Sequence, residues 1–179
     1  MSRVELIEAE QAPLLAKPYY AADGSASPLT RVLAQVPELL EPTLPFVNRV
    51  LGETAVDERT KEIVILRVSA LNGCRYCTDT HTVAAWDAGL SRDETAALCG
   101  TPAELGERDR AVVEWSDAVN ATPDAIPEDV VARAREHLSE PELVELTLVA
   151  AATVMLNHFC TALEVPVSEP TRARLEAPA

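Results

Sequence analysis

Basic residues, aromatic residues and glycine are all scarce in this sequence. Its 15 Lys and Arg residues stand against 29 Asp and Glu residues, so the formal net charge is -14. Nucleic acids and anionic lipids are bound through clustered Lys and Arg, and this balance therefore argues against both as partners. Aromatic residues make up only 4% of the 179 residues, so we expect the core to be built from Leu, Val and Ala.

Signals for strands, secretion and membrane spans are missing as well. Glycine occurs 6 times, and no sustained alternation of apolar and polar residues marks a strand. Residues 1–12 lack the apolar region of a signal peptide, and the longest apolar stretch, 143–156, is too short for a bilayer span and contains Glu145. We therefore predict an all-α cytoplasmic protein that does not use a membrane.

The length of the chain fits one domain with a sizeable core. Residues 1–27 show weak periodicity and are predicted to be an N-terminal arm, either an extended strap or a partly disordered segment. Residues 28–179 are predicted to form a single helical domain with a loose tail after Val165-Pro166. Helical periodicity and capping patterns predict helices at 28–36, 37–52, 58–71, 74–88, 92–99, 102–120, 128–138 and 140–163.

Three of these helices carry specific expectations. The second is expected to break or kink at Pro42 or Pro45, because proline lacks the amide hydrogen of a helix interior. The third, capped by Asp57, is apolar around most of its circumference and is predicted to be the buried central helix. The sixth is expected to open with a capping box formed by Thr101 and Glu104.

Two of the four cysteines, Cys74 and Cys77, form a close pair, and His81 follows one helical turn later. The spacing i, i+3, i+7 puts all three side chains on one helix face, because seven residues make nearly two turns. In a reducing compartment such a pair indicates redox or metal chemistry rather than a permanent disulfide. Cys74 falls at the helix start, where free N–H groups lower a thiol pKa from its usual ~8.5. That position favours Cys74 as the nucleophile, whereas the adjacent His81 favours Cys77.

Glu62 lies near the start of the preceding helix. The Asn72-Gly73 turn would fold that helix back against the helix of the cysteines, so that Glu62 reaches the thiols as a general base, directly or through water. The alternative is a solvated first-turn carboxylate that favours the helix dipole. Glu62, Cys74, Cys77 and His81 also make a ligand set for a metal, although zinc sites usually draw their ligand pairs from separated segments.

The segment from Glu62 to His81, EIVILRVSALNGCRYCTDTH, resembles the AhpD-like alkylhydroperoxidase motif of the carboxymuconolactone decarboxylase superfamily. The HTVAA run that begins at His81 and the Ala88-Gly89-Leu90 segment fit the same pattern, and the core of the match covers about residues 50–100. In the last predicted helix, LNHFCTALEVP resembles the ending of family members, with His158 after Asn157 where the family often has Arg.

The resemblance implies an all-α, homo-oligomeric enzyme with the CxxC at the start of a helix and with no metal or prosthetic group. It implies a thiol-dependent peroxidase in which Cys77 attacks the hydroperoxide, Cys74 resolves the product as a disulfide, and Glu62 and His81 relay protons. An external dithiol, such as a lipoyl- or thioredoxin-type partner, would reset the pair. True decarboxylases of the superfamily lack the Cys pair, so its presence favours redox chemistry.

Two other functions fit the same residues. One is general thiol–disulfide oxidoreductase activity, and the other is a non-enzymatic redox sensor or interaction protein whose Cys pair switches assembly. Cys99, Cys160 and His158 have no local partners and are expected to be buried residues of the fold. Tyr76, between the two cysteines, is expected either to line a pocket or to pack at the surface.

Overall fold

Nine α-helices make up most of the part of the chain that the computed structural model describes, residues 2–101 and 105–177. Within these residues no strand occurs, and the predicted all-α class is confirmed. Two short 3-10 turns, Ala9–Gln11 and Lys17–Tyr19, precede the first helix. The helices are α1 Pro28–Leu33, α2 Pro37–Leu51, α3 Glu58–Leu71, α4 Arg75–Asp87, α5 Arg92–Cys99, α6 Glu107–Ala121, α7 Glu128–His137, α8 Glu140–Ala162 and α9 Glu169–Glu176.

Helix α3 is the centre of the fold. Asp57 caps its start by accepting a hydrogen bond from the backbone N–H of Thr60. α3 packs against α4, α5, α6 and α8. Because it has neighbours on several sides, its apolar residues are buried around most of the circumference, as predicted. The buried apolar side chains of α3 are Ile63, Val64, Ile65, Leu66 and Val68.

Helix α2 contains two internal prolines, Pro42 and Pro45, and is nevertheless one helix, so the expected break does not occur. Pro45 has no N–H to offer to the carbonyl of Glu41, four residues earlier. That carbonyl accepts a hydrogen bond of 3.1 Å from the Tyr19 hydroxyl instead. A side chain from the N-terminal arm therefore satisfies a carbonyl that proline leaves free.

The start of α6 also differs from the prediction. α6 begins at Glu107, with Gly106 as its N-cap, rather than directly after Thr101. Glu104, the partner in the predicted capping box, lies outside the described residues. Glycine is an acceptable N-cap, and the acidic first turn with Glu107 and Asp109 favours the helix dipole at this end.

The C-terminal tail forms α9 and is not loose. Ser168 caps this helix by accepting a hydrogen bond from the backbone N–H of Thr171. The guanidinium group of Arg174 donates two hydrogen bonds, of 2.7 and 2.9 Å, to the carboxylate of Asp87 at the end of α4. The tail is therefore attached to α4 by a contact that local sequence does not reveal.

The N-terminal arm lies against α1 and the end of α8. The backbone N–H of Ile7 donates to the Arg31 carbonyl at 3.1 Å, and that of Arg3 donates to the Leu163 carbonyl at 2.9 Å. The Tyr20 hydroxyl donates to the Ile7 carbonyl at 2.8 Å. These bonds hold the arm to both the first helix and the C-terminal end of α8.

Helix α8 is long and apolar enough, by length and composition alone, to cross a membrane. It has 23 residues and extends beyond both ends of the apolar stretch 143–156 on which the expectation of no span was based. The core helix of a soluble protein meets the same criterion, and α8 packs against α2, α3, α4 and α6. Three of its apolar side chains, Val144, Leu148 and Met155, are exposed. α8 thus combines a packed inner face with an apolar outer face.

Candidate active site

A glycine turn sets the position of the predicted Cys pair. Gly73, between α3 and α4, has a φ of 65°, in the left-handed region that residues with a Cβ rarely adopt. The turn reverses the chain, and α4 packs against α3. It also makes Cys74 the N-cap residue of α4, so the CxxC begins a helix, as predicted.

Cys74 and Cys77 are in direct contact at the first turn of α4. The sulfur of Cys74 accepts a hydrogen bond from the backbone N–H of Cys77 at 3.3 Å. Both residues are buried, at 1% and 6% exposed, and both carry free thiols. Free N–H groups at a helix start favour an anion, so the Cys74 sulfur occupies the position that stabilises a thiolate.

A third thiol, that of Cys160 on α8, completes the cluster. Cys160 is 1% exposed and contacts the thiols of both Cys74 and Cys77. The predicted burial of Cys160 is confirmed. The sequence shows no partner near it in the chain, and its two thiol partners come from a distant segment. The only signal for this region in the sequence is the LNHFCTALEVP segment, which contains Cys160.

The three thiols differ in how readily they lose a proton. Hydrogen bonds from Cys160 and Cys77 outweigh burial and lower the pKa of Cys74 to about 2. A hydrogen bond from Cys160 lowers the pKa of Cys77 as well, but the contact with Cys74 and burial outweigh it and raise that pKa to about 12. Contacts with the other two thiols, together with burial, raise the pKa of Cys160. The cluster therefore holds its negative charge on Cys74.

Asn157 places a second polar side chain of α8 beside the thiols. Its side-chain amide is buried and donates to the Ser69 hydroxyl at 3.0 Å, while its oxygen accepts from the Asn72 side chain at 3.1 Å. The neighbouring Asn157 side chain also acts to lower the pKa of the Cys77 thiol. Asn157 therefore links the Cys pair to α3, and the sequence indicates it only through its place in the LNHFCTALEVP segment.

His81 and Glu62 form a hydrogen-bonded pair between α4 and α3. The Nδ1 atom of His81 lies 2.9 and 3.2 Å from the two carboxylate oxygens of Glu62. The packing of α3 against α4 thus brings Glu62 to the imidazole, whereas the sequence prediction aimed it at the thiols. Because an ionised carboxylate only accepts hydrogen bonds, Nδ1 carries the proton and Nε2 is the free ring nitrogen.

Cys77, His81 and Cys160 line one cavity of about 480 Å³, which we call the Cys77 cavity. The N-terminal arm and helices α1, α2, α4 and α8 all contribute to its wall. Among the described residues, Cys74 does not line it. The cavity therefore presents Cys77 and His81, and not Cys74, to a small molecule. Its apolar and aromatic lining residues are Pro18, Tyr19, Leu29, Leu44, Val47, Leu51, Tyr76 and Leu156.

Two residues that were expected to be buried are exposed. Cys99 lies at the exposed end of α5, and His158 lies on the outer face of α8, so neither joins the thiol cluster. In the part of the chain that the structure describes, no group of three or more His, Cys, Asp or Glu side chains is arranged to hold a metal ion. Glu62 is bound to the imidazole instead of facing the sulfurs, so the four-residue ligand set is not assembled.

We expect the reduced protein to retain a thiolate, seen by ultraviolet absorbance, at about pH 5, well below the ordinary thiol pKa of ~8.5. The pKa of Cys74 is lowered to about 2, so only stronger acid should remove the signal. Because the pKa is depressed in the folded state, the thiolate stabilises the fold fully above the unfolded pKa, and this stabilisation is lost as the pH falls toward the folded pKa. Cys74→Ser should lack the signal and Cys99→Ser, at an exposed thiol, should keep it. Equal absorbance in these two variants would contradict a thiolate on Cys74.

The chain matches the carboxymuconolactone decarboxylase family over residues 37–126, which include Glu62, Cys74, Cys77 and His81. The uncharacterised protein YdfG of Bacillus subtilis is 28% identical over 117 residues, which are 62% of this chain and 78% of that protein. An uncharacterised protein of Mycobacterium tuberculosis is 35% identical over 110 residues. That match covers 57% of this chain but only 37% of the longer mycobacterial protein.

Two solved structures share the fold over nearly the whole chain. An uncharacterised peroxidase-related protein of Ralstonia eutropha, described as an alkylhydroperoxidase AhpD core, has a TM-score of 0.88 at 16% identity, over 99% of this chain and 98% of that chain. The debrominase Bmp8, in complex with 2,3,4-tribromopyrrole, has a TM-score of 0.78 at 18% identity, over 98% of both chains. At these identities the likeness shows the fold alone. Together with the family match over half of its length, it shows that the chain belongs to the carboxymuconolactone decarboxylase family and has the AhpD-like helical fold.

Proposed function

We propose that the chain is a thiol-dependent peroxidase that reduces organic hydroperoxides through Cys77 and Cys74. One observation carries the proposal: the Cys77 thiol and the His81 imidazole line the same cavity, and the Cys74 sulfur is in contact with Cys77. A nucleophilic sulfur, a proton carrier and a resolving sulfur are the groups that a two-cysteine peroxide reduction needs. Two comparisons support the proposal. The chain belongs to a family that includes enzymes, and it shares its fold with a peroxidase-related protein.

Cys77 is the attacking thiol in this proposal because it faces the cavity, while Cys74 lies deeper. His81 takes up the Cys77 proton as the peroxide arrives, because Cys74, whose pKa is about 2, is too weak a base for a thiol whose pKa is about 12. The Cys77 sulfur then attacks the terminal peroxide oxygen, the O–O bond breaks, and Cys77 becomes a sulfenic acid. The alkoxide leaves as an alcohol after it takes up a proton through His81.

The second step closes a disulfide. The Cys74 thiolate attacks the sulfur of the Cys77 sulfenic acid, the S–O bond breaks, and the hydroxyl group takes up a proton through His81 and leaves as water. In total, one hydroperoxide and two thiols give one alcohol, one water and one disulfide, a two-electron exchange. An external dithiol then takes over the disulfide and returns both thiols.

Glu62 acts on this reaction through His81. Its carboxylate accepts the Nδ1–H bond, which holds the ring in place and leaves Nε2 for proton exchange in the cavity. Glu62 is therefore a positioning residue, and His81 is the residue that moves the proton.

The lining of the Cys77 cavity favours an organic substrate over hydrogen peroxide. Leu44, Val47, Leu51 and Leu156 supply apolar surface, and a volume of about 480 Å³ accommodates an alkyl or aryl group beside the thiol. Burying such a group contributes ~0.8 kcal/mol per CH₂. We therefore expect alkyl or aryl hydroperoxides to be the preferred substrates.

With dihydrolipoamide as the dithiol, we expect the wild-type protein to consume cumene hydroperoxide on the order of tenfold faster than hydrogen peroxide, because of the apolar lining. Cys77→Ser should abolish consumption, since the attacking sulfur is removed. Glu62→Gln should lower kcat by about tenfold to a hundredfold, because the imidazole loses its carboxylate partner. Cys99→Ser is the matched control at a thiol outside the cluster and should behave as wild type.

Absence of peroxide consumption with any dithiol would overturn the proposal. If oxidation then changed the oligomeric state, the redox-sensor function would be favoured. Reduction of a disulfide substrate in place of a peroxide would favour the general thiol–disulfide oxidoreductase. Each outcome is read from the same set of reduced and oxidised protein samples.

Reductive dehalogenation is a second candidate, because the fold is shared with a debrominase over 98% of both chains. The same pair of thiols has the electrons for it: a C–Br bond is replaced by C–H, bromide and a proton are released, and the two thiols become a disulfide. Tyr19 and Tyr76 in the wall of the Cys77 cavity offer aromatic faces to a flat ring.

Bromide release from 2,3,4-tribromopyrrole distinguishes the two functions. If the chain is a peroxidase, its thiols react with the O–O bond of a hydroperoxide and not with a C–Br bond. We then expect the reduced wild-type protein to release no more bromide than the Cys77→Ser variant. Ion chromatography measures the bromide. Release that requires Cys77, in a protein that consumes no hydroperoxide, would assign the chain to dehalogenation instead.

A further inference from the structure

Two cavities meet at the thiol cluster, and Cys160 lines both of them. The second cavity, which we call the Arg75 cavity after a residue at its rim, has a volume of about 640 Å³. Of the described residues, only Tyr76 and Cys160 line both cavities. Cys74 and Cys77 do not belong to the lining of the Arg75 cavity in the described chain. Cys160 is therefore the thiol of the cluster that borders the Arg75 cavity.

The two cavities differ in size and in charge. The Cys77 cavity is the smaller and is lined mainly by apolar residues. The Arg75 cavity is larger, and its rim carries exposed charged side chains of both signs, Arg75, Glu164, Arg172 and Glu176. An apolar cavity suits a small hydroperoxide, whereas a larger and charged one suits a dithiol that another molecule presents.

We propose that Cys160 is a third redox-active thiol, which takes the disulfide over from Cys74 and carries it to the Arg75 cavity, where the external dithiol reduces it. The inference rests on the proposed peroxidase function for the source of the first disulfide. It assigns the peroxide to the Cys77 cavity and the reductant to the Arg75 cavity. The reductant can therefore bind before the alcohol product has left.

The transfer is a thiol–disulfide exchange within the cluster. The Cys160 sulfur attacks the Cys77 sulfur of the Cys74–Cys77 disulfide, the bond between Cys74 and Cys77 breaks, and a bond between Cys77 and Cys160 forms. Cys160 gives up its proton to water in the Arg75 cavity and Cys74 leaves as a thiolate, so atoms and electrons balance with no further oxidant. Cys74 is the leaving group because its low pKa in the reduced cluster makes it the more stable thiolate.

The reduced cluster keeps Cys160 inactive, and oxidation releases it. In the reduced state the contacts of Cys160 with Cys74 and Cys77, together with burial, raise its pKa, which holds it as a thiol. Once Cys74 and Cys77 form a disulfide, the Cys74 thiolate beside the Cys160 thiol no longer exists. Cys160 then loses its proton more readily, so its nucleophilic form arises when there is a disulfide to attack.

Peptide mapping of oxidised protein tests the exchange. Trypsin cuts after Arg75 and so puts Cys74 and Cys77 on different peptides, which makes all three disulfides of the cluster distinguishable. After cumene hydroperoxide and alkylation of free thiols, we expect wild-type protein to contain a peptide pair linked through Cys77 and Cys160. Cys74→Ser should form much less of this link, because the exchange starts from the Cys74–Cys77 disulfide.

Oxidation with diamide, which needs no peroxide chemistry, separates this inference from the proposed function. If diamide yields the Cys77–Cys160 link but cumene hydroperoxide leaves all thiols reduced, the exchange stands and the peroxidase function fails. If both oxidants yield only the Cys74–Cys77 link, in wild type and at every time point, the exchange is overturned while the peroxidase function stands. These arms use wild-type protein and do not depend on the folding of any variant.

Turnover gives the second readout. Cys160→Ser should lower the rate of reduction by dihydrolipoamide on the order of tenfold, because the reductant loses the sulfur that borders its cavity. Val167→Trp, which fills the Arg75 cavity, should raise the KM for the dithiol, and Leu51→Trp, which fills the Cys77 cavity, should raise the KM for the peroxide. If both substitutions affected only the peroxide KM, entry of the reductant through the Arg75 cavity would be wrong.

Discussion

The first turn of α4 is the constraint on which the site depends. The left-handed turn at Gly73 places Cys74 at the N-cap, where a Ser or Asp oxygen more commonly accepts the free N–H of a helix. A sulfur in that position carries negative charge in a buried place, because the backbone N–H of Cys77 donates to it. Cys77 stays protonated beside that charge, and Cys160 donates to it from α8. This one arrangement gives the three thiols different tendencies to lose a proton.

A buried thiolate is costly, and the fold offsets that cost locally. The three thiols lie in a small apolar cluster with Leu29, Val32 and Val165, separate from the main core around α3. Within it, N–H and thiol groups donate to sulfur, so the charge is not left unsatisfied. His81, hydrogen-bonded to Glu62, lines the cavity that Cys77 also lines. The site is therefore built where three helices meet, and no single helix contains it.

Local patterns predict much of this fold, and the failures share one cause. Asp57 and the Cys74 helix start are predicted because a cap depends on a few neighbouring residues. The Tyr19 hydroxyl donates to a carbonyl of α2 that Pro45 leaves free, and Arg174 attaches α9 to α4. Such contacts join segments that are far apart in the chain, so periodicity and capping patterns do not reveal them.

The sequence by itself determined that Cys74, Cys77 and His81 share one face of a helix that starts at Cys74, because helical spacing and the Asn72-Gly73 turn are local properties. Only the tertiary structure decided that Glu62 binds the imidazole and not a thiol, that Cys77 faces a cavity, and that Cys160 is a third member of the cluster. Each of these depends on how α3, α8 and the N-terminal arm pack around α4, and packing is set by the whole chain at once.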